Sequence, residues 1–269
     1  MASSRFPERR NSARGSVPGL TDPAPFLLAT DIDGTLVSGG VHQPGLEELK
    51  ASLAGRRDKY VFAVATGRNV DQTRQVLDEY GIPYPDVVIS DVGTTIRYGL
   101  SAEPDPGWIA HLSRGWDPRP IEALLCDVVG LRMQEAQRQG RFKISFYIEP
   151  GFDRQVFDAA IAQYRGRITV VFSHDTYLDV LPGRASKGQA VRYLCRKWGI
   201  PPERTLVCGD SGNDLDMLSG YGQGVVVANY SPELESLRGR PGVFFAPHEA
   251  AAGILDGIRH FRFAPPPDL

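Results

Sequence analysis

A short apolar run, Phe26-Leu27-Leu28-Ala29-Thr30, stops abruptly in Asp31-Ile32-Asp33-Gly34-Thr35. Strands that end in acids and glycine are how α/β sheets present reactive groups at their carboxyl edge. Two carboxylates two residues apart can divide the cleavage of a phosphate ester. Asp31 would attack phosphorus and form an aspartyl phosphate. Asp33 would protonate the departing oxygen and then take a proton from the hydrolytic water. A carboxylate facing a phosphate dianion needs cations to offset the repulsion. Asp210 and Asp214, in Gly209-Asp210-Ser211-Gly212-Asn213-Asp214, add hard oxygen ligands of the kind Mg²⁺ takes, beside Asp31 and Asp33. Lys187 adds a point charge at a helix start, where backbone N–H groups also favour anions. The chain has 5 lysines against 25 arginines, so a lysine at this junction stands out. Thr66 can donate its hydroxyl to a phosphate oxygen.

Each piece has a bland counterpart. Asp33-Gly34 is a common turn pair, and Ser211-Gly212-Asn213 is ordinary loop composition. Asp214 and Ser186 could serve only as helix N-caps, and Thr66-Gly67 as a simple strand exit. Taken singly, these readings weigh as much as the functional ones. Taken together, four strand–helix junctions end in groups fit for phosphate or Mg²⁺.

These groups need a parallel sheet to bring them together. Strands are expected at 26–30, 60–65 and 86–90, with helices at 46–54 and 70–80 between them and a short extended piece at 94–98. That alternation is the βαβ grammar of a Rossmann-like sheet. It breaks off between about residues 103 and 181. Helix 118–129, strand 142–149, helix 154–165 and strands 168–172 and 177–180 fit an inserted α+β module. The βα rhythm returns with helix 187–198, strand 205–208, helix 214–218, strand 224–228 and helices 232–237 and 250–261. The expected class is therefore α/β: a core from 25–102 and 182–269, and an inserted α+β cap domain at 103–181.

Residues 1–24 are rich in Ser, Arg, Pro and Gly without an apolar segment, which excludes a secretory signal and reads as a disordered extension. A hydrophobic content of 42%, charged content of 23% and net charge of −2 suit a globular enzyme without a nucleic acid or membrane partner. Apolar runs such as 60–65 are too short to span a bilayer. Three scattered cysteines, Cys126, Cys195 and Cys208, suggest reduced thiols in the cytoplasm, each a small buried hydrophobe. No G-x-G-x-x-G follows the first strand, which argues against a dinucleotide enzyme.

The motif order Asp31-x-Asp33-x-Thr35, Thr66, Lys187 and Gly209-Asp210 with Asn213-Asp214 resembles the haloacid dehalogenase superfamily of phosphatases, over about residues 26–263. The insert between the second and third motifs is similar to a C2-type cap. This resemblance implies that Asp31 and Asp210 bind Mg²⁺ through carboxylates and Asp33 through its backbone carbonyl. Asp214 would act mainly through water or another ligand. Gly67 and Asn213 would join Thr66 and Lys187 around the phosphorylated substrate. A narrower likeness, to sucrose-phosphate phosphatases, is carried by Ala65-Thr66-Gly67-Arg68, Val92-Gly93-Thr94, Lys143-Ile144-Ser145-Phe146, Asp179-Val180-Leu181-Pro182 and Ala252-Gly253-Ile254-Leu255-Asp256-Gly257-Ile258. That group usually has a bulkier polar residue in place of Gly34. Gly34, with Gly115-Trp116-Asp117-Pro118-Arg119 and Met133-Gln134-Glu135, looks more like the related mannosylfructose-phosphate phosphatases.

The resemblance implies a phosphoric monoester hydrolase whose small-molecule partner is a disaccharide phosphate, sucrose 6-phosphate first and mannosylfructose phosphate second, with another sugar phosphate as a further alternative. A monomer is expected, with association with the synthase that makes the sugar phosphate as a further expectation. A sugar phosphomutase would carry a different cap, and a non-catalytic sugar sensor would not need the intact Asp31, Asp33, Lys187 and Asp210. Sugar choice is expected from the insert. Lys143 and Ser145 are two apart and share one strand face, Asp179 lies in another strand, and His174 lies in the loop between Phe172 and Tyr177. The bland alternative is a solvated sheet face.

Overall fold

A computed structural model describes residues 26–55, 60–100, 103–173 and 175–263. The chain begins with β1 (Phe26–Thr30), α1 (Leu46–Gly55), β2 (Tyr60–Ala65), α2 (Val70–Tyr80), β3 (Val87–Ser90), β4 (Thr95–Tyr98) and α3 (Pro106–Ser113). The insert contributes α4 (Arg119–Cys126), β5 (Leu131–Met133), β6 (Ile144–Ile148), α5 (Arg154–Ala160), β7 (Ile168–Ser173) and β8 (Tyr177–Pro182). The chain returns through α6 (Lys187–Trp198), β9 (Thr205–Gly209), α7 (Leu215–Gly220), β10 (Gln223–Val226), β11 (Val243–Phe245) and α8 (Ala250–His260).

The larger sheet runs β11-β10-β9-β1-β2-β3-β4, parallel except for the antiparallel β3–β4 pair. Its strands are apolar on both faces because helices cover both. In β1, Leu27 and Ala29 enter one buried cluster and Leu28 the opposite one, as a period of two requires. α2 starts with a reciprocal capping box between Asn69 and Gln72 and ends at Gly81 in the left-handed region. Trp108 and Leu112 of α3 also lie in the core cluster.

The insert forms a separate antiparallel sheet in the order β5-β6-β8-β7. Ile144 and Phe146 of β6, with Leu178 and Val180 of β8, pack against Ile121 and Leu125 of α4 and Phe157 of α5. The opposite face looks toward the core: Val171 and Leu181 belong to the core cluster.

Several expectations need correction. α3 was not foreseen, since Pro106-Gly107 at its start masks an eight-residue helix. β5 and β11 have three residues each, too few to show a period. Residues 232–237 form a 3₁₀ helix, and helix 154–165 ends at Ala160 before a 3₁₀ turn. Cys126 is exposed, because the buried stripe of α4 is Ile121 and Leu125 and the next position points outward. Among the described residues no helix is long and apolar enough to cross a membrane.

Candidate active site

Register explains why distant motifs meet. β1 lies between β9 and β2, with Thr30 opposite Cys208 on one side and Val64 on the other. Asp31, Thr66 and Asp210 therefore emerge within two residues of one level at the carboxyl edge, on strands about 4.8 Å apart. The Asp31 N–H donates to the Cys208 carbonyl at 3.0 Å, extending the pairing to the acid itself. Lys187 comes from the first turn of α6, whose N-cap Ser186 accepts from the Gln189 N–H.

The side chains converge in a buried cluster. Lys187 Nζ lies 3.0 Å from Asp31 Oδ1 and 2.8 Å from Asp214 Oδ1, and donates to Asn213 Oδ1 at 2.6 Å. Asp214 Oδ2 accepts the N–H groups of Asp210 and Ser211 at 3.0 and 3.2 Å. Thr35 Oγ1 donates to Asp210 Oδ1 at 2.7 Å. One carboxylate oxygen from each of Asp31, Asp210 and Asp214 lies within 4.8 Å of the others. The N-cap reading of Asp214 is too small, since its carboxylate is fully buried on an ammonium and two amides.

The electrostatics are unbalanced. One ammonium faces three carboxylates out of water, a large cost unless further positive charge is supplied. Burial pushes Asp31 well above the usual carboxylate range, and Asp214 and Asp210 add to it while Lys187 opposes it. Burial and then Asp214 push Asp210 up to about 7. Burial disfavours the Lys187 ammonium, but Asp214 and Asp31 outweigh it and hold Lys187 above the lysine range. An all-oxygen donor set with surplus negative charge fits a hard divalent cation. Asp214 has both oxygens engaged, which leaves Asp31 and Asp210 as the carboxylates best able to touch it.

The structure separates Asp33 from this cluster. Its carboxylate is held by Arg68 through two bonds of 2.7 Å, so its side chain is not among the clustered acids. Arg68 is not among the site residues expected from the sequence, although it stands in the Ala65-Thr66-Gly67-Arg68 run two residues past Thr66 at the exit of β2. Thr66 is fully buried, and its Oγ1 accepts from the Arg68 N–H at 3.1 Å, leaving the hydroxyl hydrogen available. Gly67 lies between them in the chain and is half-buried.

A strained loop braces this region. Asp91 and Val92 both take positive φ, +53° and +58°, a rare state for a β-branched residue. The Val92 N–H donates to the Thr66 carbonyl and the Asp91 N–H to the Arg68 carbonyl, each at 3.0 Å. At Gly93 a Cβ would collide with the Ser186 and Lys187 backbone, so only glycine lets this loop press on the start of α6.

In the insert, Lys143, Ser145 and Asp179 are 7%, 0% and 8% exposed, which removes the solvated-face alternative. Ser145 and Asp179 are register partners on β6 and β8, and Ser145 Oγ donates to Asp179 Oδ1 at 2.5 Å. Lys143 falls just before β6 rather than inside it. Its charge opposes the burial that raises both Asp179 of the insert and Asp91 of the core loop. The tip of β7 reaches the core motif, with the Phe172 carbonyl against Gly212. His174 lies outside the described residues.

Residues 24–262 match the family described as sucrose-6F-phosphate phosphohydrolase. The chain is 33% identical over 263 residues to the probable sucrose-phosphatase 2 of Arabidopsis thaliana, covering 91% of this chain and 62% of that protein. It thus spans about three fifths of the length of the plant relatives it matches. It is 31% identical to the mannosylfructose-phosphate phosphatase of Agrobacterium fabrum, covering 89% of this chain and 98% of that one. The sucrose-phosphatase of Synechocystis sp. PCC6803, solved in complex with sucrose and phosphate, superposes with a TM-score of 0.82 at 32% identity, covering 88% of this chain and 98% of the other. A haloacid dehalogenase-like hydrolase protein of Bacillus subtilis shares the fold at 18% identity and a TM-score of 0.62, covering 88% of this chain and 92% of that one. With its motifs gathered at one sheet edge and nearly its whole length matched, the chain belongs to the sucrose-6F-phosphate phosphohydrolase family.

Proposed function

We propose that the protein is a Mg²⁺-dependent phosphomonoesterase that hydrolyses sucrose 6-phosphate to sucrose and phosphate through an aspartyl phosphate on Asp31. The observation that carries this reading is the buried set of Asp31, Lys187, Asp210 and Asp214 at the carboxyl edge of β1 and β9. Mg²⁺ would be held by the Asp31 and Asp210 carboxylates and the Asp33 backbone carbonyl, with Asp214 acting through Lys187 and the backbone. When bound, it supplies the positive charge that lets phosphate approach the acids.

An Asp31 carboxylate oxygen attacks phosphorus while Lys187 holds the carboxylate in place. The bond from phosphorus to the sugar oxygen breaks, its electron pair stays on that oxygen, and Asp33 delivers the proton. Water then attacks the phosphorus of the aspartyl phosphate, the bond to Asp31 breaks, and Asp33 takes the water proton. Thr66 donates its free hydroxyl hydrogen to a phosphate oxygen throughout. Residues 25–102 and 182–269 would act as the phosphatase core, and 103–181 as the cap that selects the sugar. The sucrose and phosphate bound to the Synechocystis relative support sucrose 6-phosphate as substrate. The near-full-length match to the Agrobacterium enzyme supports mannosylfructose phosphate as the second reading.

Phosphate release across a panel of sugar phosphates tests the reading. Chelation should abolish it, Mg²⁺ should restore it, and Ca²⁺ should restore it poorly because its coordination is looser. Asp31→Asn should cut turnover by several orders of magnitude. Full activity in excess chelator, or a near-normal Asp31→Asn enzyme free of deamidation, would remove the mechanism.

A further inference from the structure

Asp33 and Arg68 form a two-pronged ion pair between the neighbouring carboxyl ends of β1 and β2. Arg68 Nε donates to Oδ2 and Nη2 to Oδ1, each at 2.7 Å. Two facts argue against a purely structural tie. The side chains are 35% and 48% exposed, and pairs this open contribute little to stability. The pair also occupies both oxygens of the carboxylate that hydrolysis needs at the leaving oxygen.

The base of Arg68 is anchored by its backbone, while its end is held by Asp33. Its N–H is bound to Thr66 Oγ1 and its carbonyl to the Asp91 N–H, so the backbone is anchored to the threonine on the phosphate side. The Asp33 hydrogen bonds, opposed by burial, raise the guanidinium above its ordinary range, and Asp31 adds to the rise. Through Thr66 and Asp33, Arg68 thus touches residues on the two strand ends that flank the site. A guanidinium fork matches phosphate oxygens as well as carboxylate oxygens, and a dianion competes strongly for it.

We propose that Arg68 is a phosphate-triggered latch: the substrate's phosphate takes the guanidinium from Asp33, and the released carboxylate takes up a proton from solvent and turns to the leaving oxygen. The proposal rests on the phosphatase reading of the Asp31 site. It makes Arg68 both a phosphate contact and the positioning residue of Asp33. The acid–base group is then freed only when a phosphate has arrived.

A double-mutant cycle with inorganic phosphate in the presence of Mg²⁺, read by calorimetry, tests this. Asp33→Asn no longer contests the fork with a full charge, so it should bind phosphate roughly 5- to 10-fold more tightly than the wild type, the size of a modest coupling between contacting groups. The gain should vanish in the Arg68→Gln background. Arg68→Lys, which keeps the charge and loses the fork, should restore only part of it. An equal gain in both backgrounds would mean general relief of negative charge, and no gain in either would mean a structural pair; each result overturns the latch. Turnover of sugar phosphates by the wild type is read separately. A protein that hydrolyses none of them would lose the phosphatase reading even if the phosphate cycle showed coupling.

Discussion

At Gly34 the backbone takes a φ of +82°, and a Cβ there would fall inside contact distance of the Asp210 carboxylate. Its carbonyl accepts from Asn229 Nδ2 at 2.7 Å, and its neighbour Thr35 donates to Asp210. Asn229 in turn accepts the Ala250 N–H through Oδ1, so the turn after β1 is tied to the start of α8. Gly34 is the position that departs from the usual sucrose-phosphatase pattern, yet its close neighbour is an acid on the phosphate side. On the proposed reading it therefore bears on the Asp210 carboxylate before it bears on the sugar. Gly34→Ala should cost about 1–2 kcal/mol from the left-handed backbone alone, measurable as a lower thermal midpoint. It should also lower turnover of a disaccharide phosphate and of an aryl phosphate by the same factor, on the order of 10-fold. A loss confined to the sugar substrate would reassign Gly34 to sugar selection.

At the scale of elements, the insert sheet has a divided character. Its helix-facing side is apolar, while Lys143, Ser145 and Asp179 are buried on the side that looks to the core. Burial raises Asp179, and Lys143 and Ser145 offset part of that cost. Buried polar groups held this way suit a hydroxyl-rich ligand better than a packing interface. Lys143→Ala and Asp179→Ala should raise KM for a disaccharide phosphate several-fold and change hydrolysis of an aryl phosphate much less. Equal losses on both substrates would assign these residues to folding or closure instead. The long core strands and helices were legible in the sequence because each carries a full period of apolar residues and a marked stop. The core motifs were legible because they sit where strands end. The pairing of Asp33 with Arg68 was not, since 35 residues separate them and only strand register makes them neighbours. The brace from Val92 and Gly93 to α6 was hidden likewise, because nothing local announces a β-branched residue at positive φ.

Across the whole molecule, the charge surplus at the β1–β9 edge links folding to the metal. Asp31 and Asp210 lie above the usual carboxylate range chiefly through burial, with Asp210 at about 7. A carboxyl raised in the folded state contributes stability that is complete below its unfolded value and is lost as pH rises through the folded value. Without metal, Asp210 therefore costs stability as pH rises from about 4 through about 7, and Asp31 acts in the same direction. Mg²⁺ held by the ionised carboxylates, as proposed, should stabilise the protein more at pH 8 than at pH 6. Asp210→Asn removes one buried charge while keeping an acceptor for Thr35. In chelator at pH 8 it should be more stable than the wild type by roughly 1–3 kcal/mol, a sizeable share of a typical folding margin. The advantage should shrink at pH 6, where the wild-type carboxyl is largely protonated, and Mg²⁺ should add little to the variant at either pH. Thermal midpoints of both proteins, with Mg²⁺ and with chelator at the two pH values, measure all of these differences. A variant less stable than the wild type in chelator at pH 8 would mean that Asp210 holds the fold together rather than straining it for the sake of the cation.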